Sequence, residues 1–350
     1  MTKSSKLNIG GQAVIEGVMM KSPNYVSVAV RKPNKKVIIE PMKYDSITKK
    51  FKFLALPLFR GVVMLLEMMV LGIKALTFSA NESLDEEDES KNKEKDNKET
   101  VKTKSNKANI KANKEPKEKE ELSKIAIAFT IFLSLLFAVG LFVVLPYALT
   151  VLIGIQEEKS SILFNLIDGI IKLSIFIAYI YLIGLMKDIK RVFQYHGAEH
   201  KAVNCYEAGK KLTIKNCQSY STVNPRCGTS FLLFVIFLGI IVFSIVPWLV
   251  ITIWPSIMNL TVVWRKVIML SVRILFLFPL AAVSYEFLKF TAKHCSSWLV
   301  KVIMQPGLWV QKLTTREPED DMVKVAIKAI EDVLGKENKL KIKNKETTLT

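Results

Sequence analysis

The sequence predicts a mainly α membrane protein: a four-helix transmembrane bundle with an interfacial helix and a small cytoplasmic α+β part. Three observations carry that prediction. Half of the 350 residues are hydrophobic, yet apolar and polar residues are segregated into blocks. Four apolar blocks are long enough to cross a hydrocarbon core of about 30 Å, which needs ~20 residues. The 50 Lys and Arg against 32 Asp and Glu, a net charge of +18, gather in the polar blocks, as they do in cytoplasmic loops. In a soluble protein that excess would point to nucleic acid. Here the partner it implies is a bilayer with anionic headgroups, and no nucleic acid is expected.

Residues 1–50 read as a cytoplasmic β-rich N-terminal unit. Tyr25–Arg31 and Lys36–Glu40 are β-branched runs joined by the turn signal Lys32-Pro33-Asn34-Lys35. No short apolar core of a signal peptide stands in this stretch. Residues 51–79 are apolar but carry Arg60, Glu67 and Lys74 at a spacing of seven, one helical stripe. A charged stripe suits an interfacial or re-entrant helix better than a span. Residues 80–124 form a charged Lys/Glu/Asn-rich linker, and its part 81–121 holds too little apolar surface to bury a core, so disorder is expected.

The first span runs from Ile125 to about Leu152, with a kink expected at Pro146. The second, Leu163 to Leu185, contains Asp168 and Lys172, four apart and placed to pair. Together they occupy 125–187. The cytoplasmic loop 188–229 follows. Spans three (Ser230 to Trp254) and four (Val267 to Lys289) occupy 230–292, with Arg273 and Glu286 near the two ends of the last. The cytoplasmic tail 293–350 has a turn signal at Pro306-Gly307. An amphipathic helix from Pro318 to Leu334 then follows, ended by Gly335. With 80–124, 188–229 and the tail inside, the expected protein is multi-pass in the cell membrane, both termini cytoplasmic.

The chemistry is concentrated in the 188–229 loop. The chain has 3 His, and two of them form His196-Gly197-Ala198-Glu199-His200. On a helix, His196 and His200 lie one turn apart on one face, the spacing with which two imidazoles grip one metal. The order His-x-x-Glu-His is that of zinc hydrolases in which the Glu activates water. Cys205 and Cys227 lie in the same loop. Two His and two Cys complete a closed, structural zinc set; two His with an acid and water make a catalytic one. The residues leave both open, beside a metal-free reading in which His196 and His200 cap or pair with acidic neighbours and the Cys are small buried hydrophobes. Glu16, the acid in the Gly-rich run Gly10–Met20, is a further candidate base or ligand, or else a carboxylate bonded to backbone amides. Glu286 is placed near enough to the loop to face it, with His294 and Cys295 just beyond. Thiols on the cytoplasmic side are expected to stay reduced.

Four motifs in order, GGQAVIEGVMM, YHGAEHK with its following Cys, NPRCGTSF and PGLWVQKLTTREP, resemble those of the YqhQ family, also called DUF1385. The resemblance spans most of the chain outside 81–121 and implies a predicted metal-dependent membrane protein. It marks Glu16, His196, Glu199, His200, Cys205, Arg226, Cys227, Thr314, Thr315 and Glu317 as motif positions. Asn224 stands where some relatives have His, so that position offers no ligand here.

The expected function is a membrane-embedded metal-dependent hydrolase with its site at the cytoplasmic membrane surface. His196, His200, Cys205 and Cys227 are the metal ligands, and Glu199 and Glu16 the catalytic acids. The metal is a divalent ion, zinc by its donor types, and the substrate a lipid, a membrane-protein segment or a small cytosolic molecule. The alternative is a non-catalytic assembly or scaffold protein with a structural metal. A transporter is disfavoured by the scarcity of intramembrane acids and of broken helices. Nothing in the residues fixes an oligomeric state.

Overall fold

The computed structural model describes residues 7–99, 129–130, 132–155, 161–294 and 297–349. The chain is mainly helical, with one small antiparallel sheet. It divides into two compact units: one of residues 1–85 with 179–350, the other of residues 86–178.

The first unit opens with strands β1 (Gly10–Val14), β2 (Gly17–Lys21), β3 (Tyr25–Arg31) and β4 (Val37–Lys43) in the order β1-β2-β3-β4. The expected hairpin is β3–β4, paired from Arg31↔Val37 to Tyr25↔Lys43. The run GGQAVIEGVMM makes a second hairpin, with Val14 opposite Gly17 and a two-residue turn in which Glu16 takes φ 50°. Period-two alternation sends Val18, Met20 and Ala29 to one face, and Val14, Met19, Val26, Val28 and Val30 to the other. Both faces are covered.

The first helix, α1 (Phe59–Glu99), packs Met68, Leu71, Ala75 and Phe78 on the second of these faces. Helices α4 (Lys187–Glu207) and α8 (Asp320–Leu349) cover the other. Tyr195, Ala198, Ala202 and Cys205 of α4 meet Met322, Ala326, Ile330 and Val333 of α8 there. The same unit holds α5 (Gly228–Ile253), α6 (Val262–Lys293) and α7 (Trp298–Thr314). Helices α5 and α6 form a hairpin in which Phe234 and Phe287 stack at 3.9 Å, and α7 packs back on α5.

In the second unit helix α2, across 132–152, is interrupted by a π-helical turn, Gly140–Val144, directly ahead of Pro146. The ring removes a backbone donor, and the widened turn absorbs the mismatch at the place where the sequence predicts a kink. Tyr147 meets Phe164 of α3 (Ser161–Ile183) edge-on at 5.4 Å. Asp168 and Lys172 pair as expected, at 2.5 Å.

Several sequence expectations need correction. Among the described residues five helices are long and apolar enough to cross a membrane by length and composition: Phe59–Ser83, Phe132–Leu152, Ile162–Ile183, Leu233–Ile253 and Val262–Thr291. The fifth candidate is α1, whose stripe of charges is satisfied. Arg60 makes two hydrogen bonds to Glu286, at 2.6 and 2.5 Å, and Glu67 accepts from Tyr44, Ser46 and the Ile47 amide. The charged linker does not begin at residue 80. Its first part continues α1 as far as Glu99, in keeping with the helix propensity of Glu and Lys. Residues 100–128 lie outside the described residues.

Pro306-Gly307 is not a turn but the middle of α7, where Val300, Met304, Gly307, Val310 and Gln311 form one buried helical stripe. Packing there overrides the local signal. Helix α8 likewise runs past Gly335, because Glu337 is held. It accepts from Ser22 Oγ at 2.7 Å, the Asn24 amide at 2.8 Å and Asn24 Nδ2 at 3.0 Å.

Candidate metal centre

Helix α4 carries two faces with different tasks. Tyr195, Ala198, Ala202 and Cys205 face the core, while His196 and His200 face the loop that leads into α5 and the chain that leaves α7. The helix approaches the latter closely. A Cβ on Gly197 would lie 2.0 Å from the Arg316 carbonyl oxygen, and Arg316 donates its amide to Phe193 O at 2.9 Å. Only glycine permits that contact.

Each imidazole is anchored at Nδ1 by a backbone carbonyl. His196 Nδ1 lies 2.9 Å from Thr314 O, and His200 Nδ1 lies 2.5 Å from Thr222 O. A carbonyl only accepts, so Nδ1 carries the proton in both rings and Nε2 presents a lone pair. This is the outer-sphere arrangement that orients metal-binding imidazoles. Cys227 is the N-cap of α5, its Sγ 3.5 Å from the Thr229 amide. The same sulfur lies 3.3 Å from His196 Nε2.

His196, His200 and Cys227 thus offer three donor atoms within 4.8 Å of one another. A tetrahedral zinc site, with bonds of about 2.0–2.3 Å, requires donors ~3.3–3.8 Å apart. His200 is 1% exposed and its Nε2 is buried with no hydrogen-bond partner, an uncommon state for a buried imidazole nitrogen. Two imidazole lone pairs, one of them on that orphaned nitrogen, and one thiol are the donor types that suit a divalent ion of the zinc class.

Glu199 stands beside the trio. It is buried, one carboxylate oxygen lies 3.4 Å from His200 Nε2, and the Gly11 amide of β1 donates to it. Burial pushes its carboxyl up to about 7, partly offset by His196 and the Gly11 amide. A Cβ on Gly11 would lie 2.8 Å from Glu199 Cγ and 2.6 Å from Met19 O, so this glycine is what admits the carboxylate.

A residue that sequence reasoning passed over holds the loop in place. Gln311 is fully buried. Its Oε1 accepts from the Asn224 amide at 2.7 Å and its Nε2 donates to Asn224 O at 3.0 Å. That pair of bonds fixes the segment bearing both Thr222 O and Cys227. Gln311 lies inside the PGLWVQKLTTREP motif, which was the available signal. Thr314 contributes its carbonyl, and Thr315 Oγ1 donates to Gln311 O at 2.9 Å. Arg226 pairs with Glu207, and Glu317 with the buried Lys201 at 2.9 Å.

Cys205 is not brought to the cluster. At about 100° per residue it lies ~140° around the helix from His200. There it donates to Lys211 O at 3.7 Å and touches Cys217 in the apolar core. Burial, with Cys205 alongside, pushes the Cys217 thiol up to about 12. Glu16 is not brought there either. It forms a two-pronged pair with Arg191, its second bond at 2.6 Å, and also meets Arg31 at 3.4 Å and Tyr195 Oη at 3.3 Å. Burial would raise the Glu16 carboxyl, but these partners win and hold it below the usual range. Glu286 is committed to Arg60, and His294 Nδ1 lies 2.9 Å from Phe290 O. Cys295 lies outside the described residues.

The family model for "Protein of unknown function (DUF1385)" matches residues 56–336. The chain belongs to the DUF1385 family. It is 33% identical over 339 residues to the "Uncharacterized protein YqhQ" of Bacillus subtilis (strain 168), covering 93% of this chain and 92% of that one. No solved structure matches it. The matched region takes in His196, His200, Glu199, Cys227 and Gln311. It leaves out the whole sheet, whose Gly11 nevertheless touches the site.

Proposed function

We propose that this member of the DUF1385 family is a membrane-embedded, metal-dependent hydrolase whose site opens at the cytoplasmic surface of the cell membrane. The observation that carries the reading is the convergence of one ring nitrogen each from His196 and His200 with Cys227 Sγ, all within 4.8 Å, while Cys205 faces away. Three protein donors with a fourth position free is the pattern of catalytic zinc; four closed ligands is that of structural zinc. A divalent ion there would supply Lewis acidity and lower the pKa of a bound water. The chain's own residues would hold and orient. Thr314 O and Thr222 O keep both Nε2 atoms turned inward, and Glu199, 3.4 Å from His200 Nε2, accepts a proton at the edge of the site.

The membrane setting supports the substrate class. Cys227 caps α5, whose apolar stretch begins at Leu233, so the cluster stands about two turns from the hydrocarbon. A lipid headgroup or a membrane-protein segment reaches such a site without leaving the bilayer. Lys- and Arg-rich loops favour the cytoplasmic side, and anionic headgroups would be their neighbours.

One observation favours a second reading. Glu199 is close enough to be a fourth ligand, which would close the site and make the protein a scaffold with a structural ion. Metal analysis of purified full-length protein tests both. Wild type and Cys205→Ala should retain ~1 equivalent of zinc, and His196→Ala, His200→Ala and Cys227→Ser should lose it. Retention in all three would remove the basis of the proposal. Cobalt-substituted protein then separates the readings. A visible spectrum that shifts on adding azide or a hydroxamate marks an open position. A spectrum that stays unchanged, with metal loss in Glu199→Gln, marks the scaffold.

A further inference from the structure

Helix α1 satisfies the length and composition of a span between Phe59 and Ser83, yet the sheet occupies one whole side of that stretch. Met64 and Glu67 reach Tyr44, and Gly72 lies against the Gln12 side chain. Ala75 is buried among the strand valines, and Glu82 pairs with Lys32 at 2.8 Å. These contacts recur every three or four residues over about 27 Å of helix. The opposite side bears Leu66, Met69, Val70, Ile73 and Leu76, each 39–57% exposed.

We infer that α1 does not cross the bilayer but lies along its surface, with the exposed apolar edge in the boundary between acyl chains and headgroups. Were α1 to span, the sheet packed along it would enter the hydrocarbon too, and with it the exposed backbone edge and charges of β4, including Glu40 and Lys43. Packed flat, the same helix keeps the sheet in water and its free edge in lipid, the habit of monotopic helices.

The lipid occupant is argued from continuity with the candidate spans. Arg60 is bonded to Glu286, and a Cβ on Gly61 would lie 2.9 Å from Tyr285 Cβ, so α1 starts against the end of α6. From that same end of α6 the chain enters α7, which exposes Trp298 (73%), Val302 (61%) and Trp309 (60%) on one side. Tryptophan at the foot of a span is characteristic of the headgroup level. Lys50, Lys52 and Lys301 are exposed nearby along the chain, placed for anionic headgroups. Helices α1 and α7 would then form an apolar underside on which the folded unit rests. This inference is independent of any metal.

The test is sidedness. In the full-length protein, single cysteines replace Lys50 or Asn81, both exposed and at opposite ends of the apolar stretch, with unsubstituted protein as the background. A membrane-impermeant maleimide is applied to intact cells and to inside-out vesicles. Both positions should label from the cytoplasmic side alone. Labelling of the two from opposite sides overturns the inference. As a second readout, nitroxides at Leu66, Ile73 and Leu76 should report one shallow depth by oxygen and nickel-chelate accessibility. A maximum of depth at Ile73 with shallow ends would mean a crossing.

Discussion

Two carbonyl oxygens decide what the histidines of α4 can do. Thr314 O and Thr222 O fix both Nδ1 protons, and so leave two nitrogen lone pairs on one small space beside the Cys227 sulfur. This depends on the close approach at Gly197. Gly197→Ala would force a methyl group to 2.0 Å from Arg316 O. It should cost about 1–3 kcal/mol or more, read as a lower Tm in detergent, and should also reduce bound metal. Glu16→Gln makes the opposite split. It removes a pair with Arg191 remote from the cluster, so stability should fall by about 1–3 kcal/mol with metal content intact. The sign with pH follows from the direction of the shift. The folded carboxyl lies below its unfolded value of 4.5, so its stabilisation is complete above that value and is lost as pH falls through and below it. Thermal unfolding on an acid series should show a shallower acid limb in the variant. Of this scale the sequence disclosed the His pair, because the residue is scarce and the spacing is one turn. Cys205 misled because nearness along a helix is not nearness around it. The partner of Glu16 was hidden by 175 residues of intervening chain.

At the scale of elements, local signals succeeded where packing agreed with them and failed where it did not. Tyr25–Arg31 and Val37–Lys43 form the expected hairpin because alternation and turn chemistry agree. Pro306 sits inside α7 and Gly335 inside α8 because a buried stripe and a buried carboxylate outweigh each breaker. Glu337, 2% exposed and taking three hydrogen bonds from Ser22 and Asn24, is what extends α8. Glu337→Ala should cost about 2–3 kcal/mol and release the last turns of α8, seen as faster amide exchange beyond Gly335 and at the β2–β3 turn. Hydropathy alone does not separate α1 from the other four apolar helices; the stripe of Arg60, Glu67 and Lys74 singled it out in the sequence, and the sheet along one of its sides is what the structure adds.

Over the whole molecule, the two ends of the chain make one folded body. The sheet of residues 10–43 is closed on one face by α8 and α4, so neither terminus has a complete core by itself. Ending the chain after Pro318 should expose the sheet to proteolysis and loosen α4 with its histidines. A peptide of residues 319–345 supplied in trans should restore both protection and metal content. Sequence reading placed the N-terminal unit and the tail on one side of the membrane, and the apolar stripe of the last helix pointed to docking on the protein's own cytoplasmic part, which the packing on the sheet and α4 bears out.

Cys227 belongs to two systems at once. Its sulfur faces the His196 imidazole of α4, and its residue caps an apolar rod that, from Leu233 six residues on, is long and apolar enough to cross a membrane. How deep that rod sits therefore sets how far the sulfur stands from the rings. One residue of axial slip is about 1.5 Å, enough to open or close a gap the size of an ion. If the span and the ion of the proposed function both hold, hydrocarbon thickness and ion grip are mechanically coupled, and a bilayer of longer acyl chains, by drawing α5 along its axis, would retune the centre without touching any of its ligands.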